Sequence, residues 1–393
     1  MTAIVDVDAP TRAAPSQRWM PGIEMLRGIA AVIVVVHHMW SLSTLPRFTG
    51  YWLVEGFGSY GVDIFFVLSA FLLSDPSWRI TTKRQLATFW ARRAARIIPA
   101  YYAVVILLFL FFVPSGALFT GAGLRQTLAN LTFTQYLFPT TAGSFGTNGV
   151  LWTLSIEFML YLMLPIIGWL FVRAPAATFA VMVAIGIGWR VVIGVVGDGL
   201  REIYFGDLAT PLGLQSLFVA RQFIGYLPLF AIGMATRWLC ERHASALERR
   251  TINAGFWVIL ALLVPGALYL RVVERSSQYA HWMWFASFDT IIALLIVPAL
   301  VVAAFGTVSS SWSNRLGAWL GARSYGIYLW HFPVILIVYE RGSGFAPPVV
   351  SYVWARVAFV IVVTAFLADM SYRIIEMPAQ RWMRAKTRGS TAS

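Results

Sequence analysis

Residues 24–40 read EMLRGIAAVIVVVHHMW, an apolar run that also carries Glu24, Arg27, His37 and His38. Between Arg27 and His37 there are only small and aliphatic side chains, and the stretch reads as a first membrane-spanning helix. Eleven residues at about 100° each make roughly three turns plus 20°, so Arg27 and His38 share one helix face. They stand about 16 Å apart along the axis. With Arg27 at the membrane boundary, His38 lies near mid-bilayer. A polar residue at that depth is costly unless it faces a bundle interior or a cavity, which makes it a functional candidate. The bland alternative is a structural histidine bonded to a neighbouring helix.

The rest of the chain has the same character. It has 393 residues, of which 59% are hydrophobic and only 12% charged. That composition predicts an all-α, polytopic membrane helical bundle. The net charge of +13 would suggest nucleic acid in a soluble protein. Here it follows instead from the bias of cytoplasmic loops toward Lys and Arg, and no nucleic-acid partner is expected. The single cysteine excludes an internal disulfide and a cysteine-clustered metal site, and no metal is expected.

About ten segments suit a bilayer crossing, near 22–42, 58–75, 97–113, 149–172, 176–197, 216–238, 252–270, 286–305, 320–340 and 350–374. With the N-terminus inside, the inner loops collect Arg79, Lys83, Arg84, Arg92, Arg93, Arg96, Arg242, Arg249, Arg250 and the basic C-terminal tail. The outer loops hold only scattered arginines, so both termini are expected to be cytoplasmic. The organisation expected is a disordered cytoplasmic tail at 1–21, a membrane domain at 22–378 and a basic cytoplasmic tail at 379–393. Residues 114–148 form a long outer loop suited to a re-entrant or interfacial element. Residues 198–215 form a second outer loop, with Asp198, Glu202 and Asp207.

Several polar residues can carry chemistry. The inner stretch RITTKRQLATFWARRAARIIPAYY places Arg93 and Arg96 three apart just before Pro99, so on a helix they project together. Two guanidiniums there suit a phosphate clamp, although basic clusters at membrane faces also bind anionic lipid or simply set topology. The second span carries Asp63 and Ser69; Asp63 suits a cap or pair near the outer boundary, and Ser69 can simply bond its own backbone. Glu157, with Tyr161 one turn on, can orient a histidine, accept a proton, or neutralise Arg190 or Arg221. Structural pairing is the expected role of Arg190 and Arg356. In the ninth span Tyr328 and His331 share a face, and Phe332-Pro333 after the histidine also suits a structural hinge.

Taken together these pieces resemble the bacterial acyltransferase-3 family of integral membrane acyltransferases. The resemblance rests on Arg27-x10-His38, on Phe65-Phe66-Val67-Leu68-Ser69, and on Arg93-x2-Arg96-Ile97-x-Pro99. It continues through Trp152-Thr-Leu-Ser155-x-Glu157, Ser324-Tyr325-Gly-Ile-Tyr328-Leu-Trp-His331 and Glu376-x-Pro378. Each motif is loose alone; six in this order over residues 24–378 are specific. The chain departs from the family at Ala70 (glycine there), Phe158 (often acidic) and Met377 (usually basic). No extracytoplasmic esterase-like domain, such as some members carry, is expected in this reading, so acceptor specificity is expected from the membrane unit.

The resemblance implies an O-acyltransferase of the bacterial cell membrane. It would move a short acyl group, typically acetyl, from acyl-CoA to a hydroxyl of a cell-envelope glycan, glycolipid or glycosylated metabolite. Acyl-CoA, preferably acetyl-CoA, enters as co-substrate, with no bound cofactor expected. His38 and Glu157 are the expected catalytic residues, and Arg27, Arg93 and Arg96 the expected acyl-CoA ligands. Glu24, Ser69, Trp152, Tyr328 and His331 are expected in support. A neutral His38 can take the proton of the attacking hydroxyl, with Glu157 stabilising the imidazolium. A pantetheine arm is roughly as long as the Arg27–His38 spacing, so the thioester is expected to reach His38. A covalent relay through His38 or a serine is equally open. A proton-coupled transporter or lipid flippase is the alternative, because intramembrane Glu, Arg and His also serve carriers.

Overall fold

A computed structural model describes residues 20–41, 51–113, 116–142, 149–205, 218–219, 221–243, 261–262, 265–266, 282–305, 312–339 and 353–389. The described residues are helical throughout, with turns between helices and no strand among them. In chain order the helices are α1 (Pro21–Ser41), α2 (Tyr51–Trp78), α3 (Lys83–Phe112), α4 (Gly121–Leu131) and α5 (Trp152–Arg173). Then come α6 (Pro175–Phe205), α7 (Leu227–Arg242), α8 (Trp282–Phe305), α9 (Trp312–Tyr339) and α10 (Val353–Ser371). A π-turn at Tyr372–Glu376 joins α10 to α11 (Met377–Gly389).

Seven helices among the described residues are long and apolar enough to cross a membrane, against the ten crossings expected. They are α1, α2, α3, α5, α6, α7 with its preceding turn, and the continuous α10–α11 rod. The segment expected at 252–270 falls largely outside the described residues. The one at 286–305 lies in α8, where Asp289–Phe305 is a shorter apolar stretch. The one at 320–340 lies in α9, whose apolarity is diluted by Arg323, Ser324 and His331. The bundle is wrapped in exposed aliphatic and aromatic side chains, among them Leu110, Phe111, Ile166, Val195, Val362 and Phe366, each more than half exposed. Such a belt suits hydrocarbon surroundings.

Two expected loops are helices instead. The basic stretch before the third span is the opening of α3, started by a capping box in which Thr82 accepts from the Gln85 amide and Gln85 reciprocates. Residues 198–205 continue α6, so Asp198 and Glu202 are helical, whereas Asp207 lies outside the described residues. The 1–21 tail also lies outside them, save for its last residues, Met20 and Pro21. Within 114–148 lies α4, which exposes Leu124, Leu128 and Leu131 on one face and buries Gln126, Ala129 and Asn130 on the other. That division suits a helix lying in an interface.

Helix α1 is the axis of the bundle, packed along α9, α2 and α8. Its approach to α9 is close enough that a Cβ on Gly321 would meet the Glu24 backbone carbonyl, and one on Gly28 would meet Leu320. Small residues at such crossings let membrane helices gain contact where lipid offers no hydrophobic drive. Across the bundle α6 and α8 are joined by an ion pair between the buried Arg190 and the partly exposed Asp289. This is the structural pairing expected for Arg190, with Asp289 rather than Glu157 as its partner. Removing Asp289 takes the carboxylate away from a buried guanidinium. Asp289→Ala should therefore destabilise the bundle by about 1–3 kcal/mol, read as a lower thermal midpoint in detergent. An unchanged midpoint would show that the pair contributes nothing.

Candidate active site

Five helices, α1, α2, α3, α5 and α9, enclose a cavity of about 820 Å³ including its mouth. At one end Arg27, Arg93 and Arg96 converge on it. Arg27 is steadied by Glu24 one turn back, with the nearest guanidinium to carboxylate distance 3.2 Å. Arg93 and Arg96 come from the same face of α3, as their spacing requires, and Ile97 below them also lines the space. Three guanidiniums facing one cleft supply a fork-shaped donor array suited to phosphate oxygens.

Midway along the cavity α2 meets α5. The Ser69 hydroxyl donates to Glu157 Oε1 at 2.8 Å. The Tyr161 hydroxyl donates to the same oxygen and lies 3.3 Å from Ser69 Oγ. An oxygen receiving two hydroxyl donors is behaving as a pure acceptor. Glu157 therefore does not neutralise Arg190, and its contacts are with Ser69 and Tyr161 rather than with a histidine. The expectation that it holds the imidazolium is corrected accordingly. Ser69 likewise does not bond its own helix. Ser74 and Ser77 on α2 do so, to the carbonyls of Ala70 at 2.6 Å and Ser74 at 2.7 Å. Ser69 faces α5 across the cavity and has a carboxylate within reach.

The far end is closed by Phe65, Thr153 and Tyr328. Tyr328 is pinned at its hydroxyl, which lies 2.6 Å from Thr153 Oγ1 and donates to the Val150 carbonyl at 2.7 Å. Behind it stands His331, with ring centroids 5.8 Å apart. His331 is fully buried, and its Nε2 lies 3.1 Å from His38 Nδ1. His38 is thus placed beyond the Tyr328 end rather than among the residues lining the cavity, against the expectation that a thioester reaches it directly.

Backbone carbonyls one turn back fix the tautomers of both rings. His331 Nδ1 is 3.1 Å from the Ile327 carbonyl, which can only accept, so this nitrogen carries the proton. His331 Nε2 is then an acceptor, and His38 Nδ1 donates toward it and toward the Val34 carbonyl at 3.0 Å. What remains is the lone pair on His38 Nε2, which makes no hydrogen bond among the described residues. A base held by a second group in one tautomer is the arrangement proton abstraction needs.

Trp152 stands outside the cavity, under the Arg221 guanidinium at 4.6 Å and beside Tyr136 and Tyr226. Tyr226 in turn stacks on Phe66, which lines the cavity, so Trp152 belongs to its outer wall. Glu376 is buried at the π-turn, held by Ser371 at 3.2 Å. The site also includes residues that sequence reasoning left out. Tyr161 was legible as the i+4 partner of Glu157. Ser324 and Tyr325 lay inside a quoted motif, and Tyr325 ties α9 to α3 through the Ile97 carbonyl at 2.8 Å.

Comparison with known proteins gives a consistent picture. Residues 20–370 match the family model described as an acyltransferase domain. The peptidoglycan O-acetyltransferase OatA of Listeria monocytogenes serovar 1/2a is 27% identical over 390 residues, covering 93% of this chain and 56% of the relative. The O-acetyltransferase OatA of Staphylococcus aureus NCTC 8325 is 28% identical over 391 residues, covering 93% of this chain and 58% of the relative. The chain thus spans a little over half the length of these relatives. No solved structure matches.

Proposed function

This chain belongs to the acyltransferase-domain family of multi-pass membrane proteins, and from that premise we propose that it moves an acetyl group from acetyl-CoA to a hydroxyl of a cell-envelope glycan. The observation that carries the donor half is the convergence of Arg27, Arg93 and Arg96 on one end of a cavity whose middle holds Ser69 and Glu157. A CoA diphosphate is a dianion, and bidentate guanidinium contacts are its natural ligands. The arginine end faces the cytoplasm in this reading, with both chain termini on the same side. The support is the excess of Lys and Arg in the segments flanking that end.

The acceptor half rests on His38. Its Nε2 takes the proton of the acceptor hydroxyl as that oxygen attacks the acyl carbonyl. A polysaccharide acceptor is supported by the relative from Listeria, whose name gives peptidoglycan as its substrate. The carrier alternative gains nothing from the comparisons. Thiol release needs no proton gradient, which separates the two experimentally.

The donor role is tested by Arg93→Ala and Arg96→Ala. Each should raise the KM for acetyl-CoA by about tenfold to a hundredfold, the loss expected from one or two charge-assisted hydrogen bonds, while the KM for the acceptor holds. An unchanged KM for acetyl-CoA in both variants would remove the phosphate role.

A further inference from the structure

The cavity separates two chemistries. Donor-binding arginines lie at one end, and the histidine pair lies behind Tyr328 at the other. Between them stands a hydroxyl paired with a carboxylate. Resting on the acetyl-CoA reading above, we propose that Ser69 is a covalent nucleophile that carries the acyl group as an ester between donor and acceptor.

The geometry is that of an activated nucleophile: a hydroxyl, a base at 2.8 Å, and a third group that orients the base. Tyr161 is that third group, and its own backbone is held by the Trp90 indole N–H at 3.2 Å. Serine within a membrane helix ordinarily satisfies its hydroxyl on the preceding turn, as Ser74 does. Ser69 forgoes that bond for one with a carboxylate facing an open cavity. An attacking serine requires a base in that position.

The step balances as follows. Glu157 takes the proton of Ser69 as its oxygen bonds to the thioester carbonyl carbon. The carbon–sulfur bond breaks, and the departing thiolate recovers the proton from Glu157 and leaves as free CoA. The developing oxyanion lies in a cavity lined by guanidinium groups, which stabilise negative charge there. In the second half the acceptor hydroxyl attacks the Ser69 ester, and the Ser69 oxygen departs. The proton that His38 takes from the acceptor ends on that oxygen, restoring the hydroxyl.

The test is exchange of isotopically labelled CoA into acetyl-CoA by the reconstituted full chain without acceptor. This exchange requires an acyl-enzyme and does not require one to accumulate. Exchange is expected in the wild type, absent in Ser69→Ala, and partly kept in Ser69→Cys, which retains a nucleophile. Ser69→Ala should still bind acetyl-CoA, which shows that it is folded. Acid-quenched peptide mapping after incubation with labelled acetyl-CoA should place the acyl group on the peptide containing Ser69. The proposal is overturned if the protein releases CoA thiol with acceptor present yet shows no exchange. Exchange that survives Ser69→Ala, or label found on Tyr161 or His38, overturns it equally. Absence of both acetyl-CoA binding and thiol release in folded wild type would instead remove the donor reading on which it stands.

Discussion

Replacing His38 with alanine should lower acetyl transfer to the glycan by about 10³-fold, within the range that general bases contribute, while leaving acetyl-CoA binding almost unchanged. The split follows from position. His38 is not among the residues lining the donor cavity, and the arginines that would hold the donor come from the opposite end. The His38 ring offers one free lone pair because His331 engages the other nitrogen at 3.1 Å. His331→Ala removes one of the two acceptors that hold this tautomer, the Val34 carbonyl being the other, and leaves the base itself. Its loss should be smaller, and it should appear in kcat rather than in the KM for acetyl-CoA. A folded His38→Ala variant with full transfer activity would dismiss the histidine as a structural residue, which was its bland reading from the start.

Glu157→Gln should be nearly as damaging, but on the donor side. The amide keeps the size and one acceptor oxygen, so Ser69 and Tyr161 retain a hydrogen-bonding partner while losing a proton acceptor. Transfer should fall by about 10²- to 10⁴-fold with little change in the KM for acetyl-CoA. The two variants thus report different halves of one reaction. In His38→Ala, CoA exchange without acceptor should survive while transfer is lost. In Glu157→Gln both should fail. A Glu157→Gln variant that exchanges CoA at the wild-type rate would make the carboxylate structural.

How much of this was legible in the sequence depends on how far each contact reaches along the chain. The Arg27 to His38 spacing required both on one helix face, and the first helix is continuous across it. The three-residue spacing of Arg93 and Arg96 likewise sufficed to put them on one cavity wall. Contacts between distant helices were another matter. Glu157 was a candidate partner for a histidine or for Arg190, and nothing local ranked those against Ser69, which lies 88 residues earlier. Arg190 found Asp289, an acid in an apolar run whose helix neighbours cannot be read from spacing alone. For Ser69 the local rule favoured its own backbone, and tertiary packing overrode it. The pairing of His38 with His331 spans 293 residues and could not be inferred from either motif.

Two misreadings were avoidable. The basic stretch was read as an inner loop between two spans, yet Thr82 and Gln85 stand three apart, the spacing of a capping box, just ahead of a helical run. Residues 198–205 looked like a loop because of glycine and acid, yet α6 carries them as a continuation of its helix.

The most direct test of the central claim is CoA-thiol release by the reconstituted protein given acetyl-CoA and cell-envelope glycan. The His38→Ala variant runs alongside, and mass spectrometry follows the glycan. Thiol release that depends on His38 and matches acetyl gained by glycan hydroxyls is the predicted result. A folded protein that neither binds acetyl-CoA nor releases thiol with the glycan present would contradict the account.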